Sequence, residues 1–541
     1  MRTVLRGSTV VDGSGGPARE ADVEVVDGRI SRIGEIPAER DLPEEDLSGL
    51  VLAPGFIDLH THYDAQLMWE PTLEYSLRHG VTSVVIGNCG LTLAPCRPTD
   101  RDYIIDLFSV VEGMRLEDLE KGLQWGFESV PEYLRQVEVQ PLELNVGMLV
   151  GHQAVRRYVL GAEAASRPAS PEEIATMAAI VRDGVEHGAL GFSTDWAGSH
   201  IDSHGDPVPS MAATQEEIDA LAAAMHAGGG SFFEMSCGRD FRLDKLLEMS
   251  RATGMRISPT AILTGHSSPA EIEAILAAVA GTTIHPQITC RKRMHYLTLA
   301  TPVEFVRMSE TFRGVLGLST AELSARYADP AWRDTLRSTL LERGQSFLAT
   351  CQLVESAVLT DLLGERLVDI AAAQGKDLLD ALFDLTALDL AARFAYPIFN
   401  DDEDGVARLL ADRHTVLGLS DAGAHSDRLF DANFPTDLLG YWVRDAGRIT
   451  LEDAVWRLTG QPAGLLGLED RGRIAEGAAA DLVAFDPDRV GYLPLQRLHD
   501  LPAGGERLVS RSVGIEGVWV NGAKVFDHDA VHHVGGGTLL G

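Results

Sequence analysis

The sequence predicts an α/β protein built on a (β/α)8 TIM-type barrel, with a small β domain formed by its N- and C-terminal segments and a helical insertion before the last barrel strand. Three observations predict this. Eight short apolar runs each end in polar or glycine-rich text, helical patterns separate them, and both ends of the chain read as short strands around turns.

The N-terminal stretch, Met1 to about Leu52, contains VVDG and VEVVDGRISRIG, in which apolar residues alternate around Asp-Gly pairs that favour hairpins. From about Ala480 the style returns in DLVAFDPDRV and GVWVNGAKVF, the second around an Asn-Gly turn. Residues 1–52 and 480–541 are therefore assigned to the small β domain and 53–479 to the barrel. Within the barrel the strand candidates are GFIDLH, TSVVIGNC, LNVGMLVGH, ALGFSTD, GSFFEMS, MRISPTAI, TIHPQITC and TVLGLSD. PEEIATMAAIVRDGVEHG and TQEEIDALAAAMHAGG are two of the intervening helices, each opening on a capping residue and closing at glycine. The interval from Lys292 to Thr415 is too long for one βα connection, so about 292–400 is read as an insertion, helical in DPAWRDTLRSTLLERG and ERLVDIAAAQGKDLLDALFDL.

Composition narrows the function classes. A chain of 541 residues, 45% hydrophobic, is long enough for a large core and exceeds one plain barrel of roughly 250 residues. With 46 basic and 80 acidic residues the formal charge is −34, which repels nucleic acid and anionic lipid, so neither is expected as a partner. No leader-like start and no apolar run approaching the roughly 20 residues of a membrane span is evident, and five scattered cysteines do not suggest a disulfide framework. A cytoplasmic location is the expectation.

In a parallel barrel the reacting groups sit at the C-terminal ends of the strands. His60 and His62 end the first run, and their spacing of two turns both imidazoles to one side, where they can share a metal ion. Cys89 ends the second run in GNCG; it is either a thiolate ligand for an ion such as zinc or a buried structural thiol. Asp421 ends the eighth run in SDAGAH, a neighbour of the first once the barrel closes, and is either a metal ligand that also moves protons or a helix N-cap.

PGFIDLHTHYDAQ, GVTSVVIGNCG and VLGLSDAGAHSD together resemble the N-acyl-D-amino-acid deacylase (D-aminoacylase) branch of the metal-dependent amidohydrolase superfamily, and GRIAEGAAADLVAFD and GVWVNG resemble that superfamily's closing β segments. The resemblance implies that His60, His62, Cys89 and Asp421 bind metal, with Asp421 also the general acid/base. Members of the branch usually carry histidines ending the fifth and sixth strands; here those runs read EMSCG and SPTAIL, and His226 and His266 are expected to be surface residues. One zinc ion is therefore expected and a second site is doubtful unless Glu234, Ser236 or Cys237 rebuilds it.

For the substrate, the resemblance implies His152 as a donor to the amide carbonyl and Arg428 as a partner of a carboxylate; a structural histidine and a surface ion pair are the competing readings. Trp196 and Trp69 follow strand ends and either line the acyl or side-chain pocket or pack locally, and Arg291 is a further candidate. The implied activity is hydrolysis of an amide bond of an N-acyl, D-configured amino acid or related small amide by a metal-activated water. Cleavage of a cyclic amide or another C–N bond on the same fold, and a catalytically silent ligand-binding paralogue, are the alternatives. A homo-oligomer is compatible with the sequence, which leaves the oligomeric state open.

Overall fold

The computed structural model describes residues 2–238, 242–302, 305, 309–315, 318–340 and 345–541. Contacts divide the chain into two compact units: residues 1–291, 402–426 and 430–541 form one, and 292–401 with 427–429 the other.

In the first unit each of the eight apolar runs contains a strand: β1 Phe56–Asp58, β2 Val81–Ile86, β3 Asn145–Gly151, β4 Gly191–Asp195, β5 Phe232–Ser236, β6 Arg256–Thr260, β7 Gln287–Ile288 and β8 Val416–Leu417. Strands β1 to β6 form one curled sheet in sequence order, all parallel. A parallel bridge from Ile257 to Ile284 continues it to β7, β7 pairs parallel with β8, and a parallel bridge from Thr61 to Ala422 returns from β8 to β1. The pairing thus runs in a closed ring. Ile57, Leu59, Val85, Leu149, Phe232 and Val416 form one buried cluster among these strands, and each such side chain contributes about 1.5–3 kcal/mol by leaving water.

Helices follow the strands as the pattern predicts. Pro171–Glu186 starts from a reciprocal cap, in which Ser170 Oγ accepts the Glu173 amide and the Glu173 carboxylate accepts the Ser170 amide, and Gln215–Ala227 is capped by Thr214. The two chain ends share a nine-stranded sheet, in which Val51–Pro54 pairs antiparallel with Leu482–Phe485 and parallel with Arg2–Val10. Asp27-Gly28 and Asn521-Gly522 make its hairpin turns, all four residues at the positive φ that such two-residue turns require. A last strand, Leu539–Leu540, pairs parallel with β3.

The second unit corrects one expectation: the insertion is not helical alone. Helices Thr320–Ala328, Leu367–Gln374 and Leu378–Leu388 are joined by an antiparallel sheet of Arg293–Thr298, Arg393–Phe399 and Gln352–Glu355. RMHYLT and RFAYPIF are rich in aromatic and aliphatic residues at strand length, which suits a half-buried pleated surface. The core of this unit is aromatic, built around Phe312, Tyr327, Trp332 and Phe383. Of the expected helix DPAWRDTLRSTLLERG, residues 341–344 lie outside the described residues.

Candidate active site

His60, His62, Cys89 and Asp421 all lie just past the C-terminal ends of their strands. The donor atoms of His60, His62 and Cys89 lie within 4.8 Å of one another, and all three residues are buried. Cys89 Sγ stands 3.5 Å from His60 Nε2, and Asp421 Oδ1 approaches the same nitrogen to 3.4 Å. The backbone that delivers them is constrained: Cys89 sits at φ +54° in the single turn Asn88–Gly90, and Leu419, Asp421 and His425 hold φ of +60°, +49° and +48°. Non-glycine residues in this region store strain, and such strain concentrates at functional sites.

Neighbouring side chains fix the orientations of these groups. Gln287 Oε1, at the start of β7, accepts from His60 Nδ1 at 2.8 Å, which keeps the lone pair of Nε2 toward Cys89 and Asp421. His62 Nδ1 lies 3.4 Å from Glu112 Oε1. Glu234 of β5 accepts the Cys89 amide at 2.9 Å with one oxygen and the Thr260 hydroxyl at 2.8 Å with the other. Asp195, ending β4, holds His200 Nδ1 at 2.6 Å. Burial pushes Glu112 and Glu234 up to about 8 and Asp58 and Asp64 up to about 7. Burial also drives the Cys89 thiol well above its ordinary value, and Glu234, Glu112, Asp195 and Asp421 drive it further. Carboxyl groups and a thiol gathered out of water with two imidazoles disfavour their own ionisation, and a divalent cation is the partner that reverses this. Two nitrogens, a sulfur and a carboxylate oxygen are also the donor set that suits zinc, so the residues present fit such an ion.

The family model described as the amidohydrolase family matches residues 44–349 and 366–526. The chain belongs to the amidohydrolase family. This amidohydrolase is 30% identical to a D-aminoacylase of Alcaligenes xylosoxydans xylosoxydans over 99% of its own length and 97% of the relative. A solved D-aminoacylase, described as having a binuclear metal centre with one-metal activation and second-metal attenuation, is 27% identical with a TM-score of 0.68 over 99% of both chains. The N-acyl-D-glutamate deacylase of Bordetella bronchiseptica, solved with zinc and a phosphonate mimic of the tetrahedral intermediate, is 27% identical with a TM-score of 0.67, again over 99% of both. The protein is thus a hydrolase of carbon–nitrogen bonds other than peptide bonds.

Other candidate residues of the amidohydrolase fall elsewhere. His152 begins the helix His152–Leu160 fully buried, with Nδ1 2.7 Å from Thr194 Oγ1 and Nε2 2.9 Å from Glu217 Oε1. Both ring nitrogens meet protein partners, the arrangement that the competing reading of a structural histidine describes. Arg291 is likewise held, by Asp431 at 3.3 Å and Asp437 at 2.9 Å, with Tyr492 against its guanidinium. Trp69 packs on the face of Gly122, where a Cβ would meet the indole at 2.3 Å. Trp196 is buried, its Nε1 donates to the Ser210 carbonyl, and Arg242 covers its ring. Arg428 belongs to the second unit, where it pairs with Asp427 at 2.8 Å. Exposed His226 lies in the helix Gln215–Ala227, and half-buried His266 follows β6 by several residues.

Glu112, Gln287, Asp195 and His200 were not anticipated. Asp195 ends its apolar run in the way His60 and Cys89 end theirs, so the same rule finds it. Glu112 lies in a loop after the helix Arg101–Val110, and Gln287 inside its run, so neither carries a local signal.

Proposed function

We propose that this amidohydrolase removes the acyl group from an N-acyl, D-configured amino acid or a closely related small amide, using one zinc ion held by His60, His62, Cys89 and Asp421. The observation that carries the reading is the convergence of three buried donors within 4.8 Å, with the Asp421 carboxylate 3.4 Å from His60. When bound, the ion would supply Lewis acidity toward the amide carbonyl and acidify an attacking water. Asp421 takes the proton of that water on a carboxylate oxygen and returns it to the departing nitrogen. Gln287 keeps His60 oriented, and the burial of His60, His62 and Cys89 keeps bulk water from them.

A single ion is favoured because Glu234 and Thr260, on the strands where the branch usually places histidines, spend their side chains on each other and on the Cys89 amide. The wider assignment follows the same reading: a barrel of residues 53–479 with its insertion at about 292–400, a small β domain from 1–52 and 480–541, and a small-molecule amide as partner. All five cysteines are buried and unbridged, which suits the reducing cytoplasm. Among the described residues no helix is long and apolar enough to cross a membrane.

The test is a hydrolysis screen of N-acyl-D-amino acids, N-acyl-L-amino acids and small cyclic amides with zinc added back to purified protein. Release of amine from the D series supports the reading. Turnover confined to cyclic amides, or to the L series, contradicts it.

A further inference from the structure

In the turn that follows β2, Gly87, Cys89 and Gly90 hold φ of +80°, +54° and +70°. The two glycines adopt this region freely, whereas Cys89 carries a Cβ and is held there against a steric cost. The conformation has a consequence for the metal cluster. It sets Cys89 Sγ 3.5 Å from His60 Nε2, and at an ordinary negative φ the Cβ would swing about the N–Cα bond and carry the sulfur away from His60.

Neighbouring elements hold the turn from several sides. Asp64, in the loop after β1, accepts the Gly87 amide at 3.2 Å, and the Asn88 side chain donates to the carbonyls of Thr61 at 3.3 Å and Val85 at 3.0 Å. From β4, the Ser193 hydroxyl accepts the Gly90 amide at 3.1 Å and donates to the Gly87 carbonyl, so one oxygen ties both ends of the turn. From β5, Glu234 Oε2 accepts the amide of Cys89 itself at 2.9 Å, while the Thr260 hydroxyl steadies Oε1 at 2.8 Å. Ser193 and Glu234 stand directly opposite each other in the β4–β5 ladder, and both are fully buried. Together they form a floor under the turn. An amide that loses such an acceptor out of water is strongly penalised, so removing either side chain releases the conformation that the Cys89 Cβ resists.

We propose that Ser193 and Glu234 are positioning residues that hold the Asn88–Gly90 turn in its left-handed form, so that the Cys89 sulfur is set for the ion before the ion arrives. Glu234 then acts on the metal centre through the Cys89 backbone and not as a ligand. Ligands held in place beforehand raise affinity because less ordering remains to be done on binding. This rests on the reading of Cys89 as a zinc ligand, which the same experiment tests separately.

Zinc affinity is measured by competition with a chelator on the full chain carrying Ser193→Ala, Glu234→Leu or Glu234→Gln, each with Cys89 and with Cys89→Ala. The sulfur-to-metal absorption of the cobalt-loaded Cys89 proteins is recorded alongside. With Cys89 present, Ser193→Ala and Glu234→Leu are each expected to lower affinity by about tenfold to a hundredfold and to weaken that absorption. Glu234→Gln, which keeps an acceptor for the Cys89 amide, retains most of both. Cys89→Ala itself lowers affinity, and in that background the other substitutions change it by about twofold or less. Equal losses with and without Cys89, losses in neither, or Glu234→Gln as damaging as Glu234→Leu overturn the proposal. Ser193→Ala removes a single oxygen and keeps the test decisive if Glu234→Leu yields no folded protein. Zinc affinity unchanged by Cys89→Ala would remove the sulfur from the ligand set, and the proposal with it.

Discussion

Asp421 is asked to do two things, to hold the ion and to carry a proton, and replacement separates them. Asparagine keeps an oxygen donor of the same shape and loses the basicity, so Asp421→Asn is expected to fold, retain at least part of its metal and lose turnover by about a hundredfold or more, read by kcat and metal analysis together. Gln287 acts one step further out. Gln287→Leu removes the acceptor that fixes His60 Nδ1, and zinc affinity measured against a competing chelator should fall by about tenfold to a hundredfold. Unchanged affinity would show that the His60 ring is held by its other neighbours. The convergence of His60, His62, Cys89 and Asp421 was legible in the sequence because each ends an apolar run or follows one by a few residues. His152 shares that placement, yet its nitrogens turn to Thr194 and Glu217, a choice made by neighbours far along the chain. Gln287 and Glu112 were illegible for the same reason, since only folding brings them to His60 and His62.

The strands and helices carry a second layer of constraint. Gly191, at the start of β4, has no room for a side chain: a Cβ there would stand 1.8 Å from the Phe232 carbonyl oxygen of β5. Gly191→Ala must push two paired strands apart and is expected to cost about 3 kcal/mol or more, seen as a lower melting temperature or loss of soluble protein. A variant that melts with the unsubstituted protein would show that the β4–β5 ladder relaxes more easily than its geometry implies. All eight barrel strands were legible, because a buried parallel strand is a short continuous apolar run bounded by turns. The caps at Ser170 and Thr214 were equally plain. The insertion was read less well: its helices have strong periodic patterns, whereas its sheet pairs Arg293–Thr298 with Arg393–Phe399 across nearly a hundred residues, a separation that no local pattern reveals.

Over the whole molecule, His79 ties distant parts of the first unit together, with Nδ1 2.8 Å from Thr436 Oγ1 and Nε2 3.2 Å from the Ser510 carbonyl. Burial pulls it down to about 3 from its ordinary 6.5. Between those two values the unfolded chain takes up a proton that the folded one refuses, so this residue's contribution falls as the medium is acidified through 6.5. The stability advantage of the unsubstituted protein over His79→Gln should therefore shrink by about 2 kcal/mol between roughly pH 7 and pH 5, measured by denaturant unfolding at each pH. A constant difference would mean that His79 titrates normally in the folded state. The terminal strands show how far sequence reading extends at this scale. Their hairpin turns were visible, but the pairing of Val51–Pro54 with Leu482–Phe485 and of Leu539–Leu540 with β3 depends on the closed fold.

The most direct measurement is X-ray absorption at the zinc edge of the purified, zinc-loaded protein. The account expects one sulfur at about 2.3 Å, from Cys89, beside nitrogen and oxygen neighbours at about 2.0–2.1 Å that include a water. A shell without sulfur, or a folded protein that retains no zinc, would contradict it.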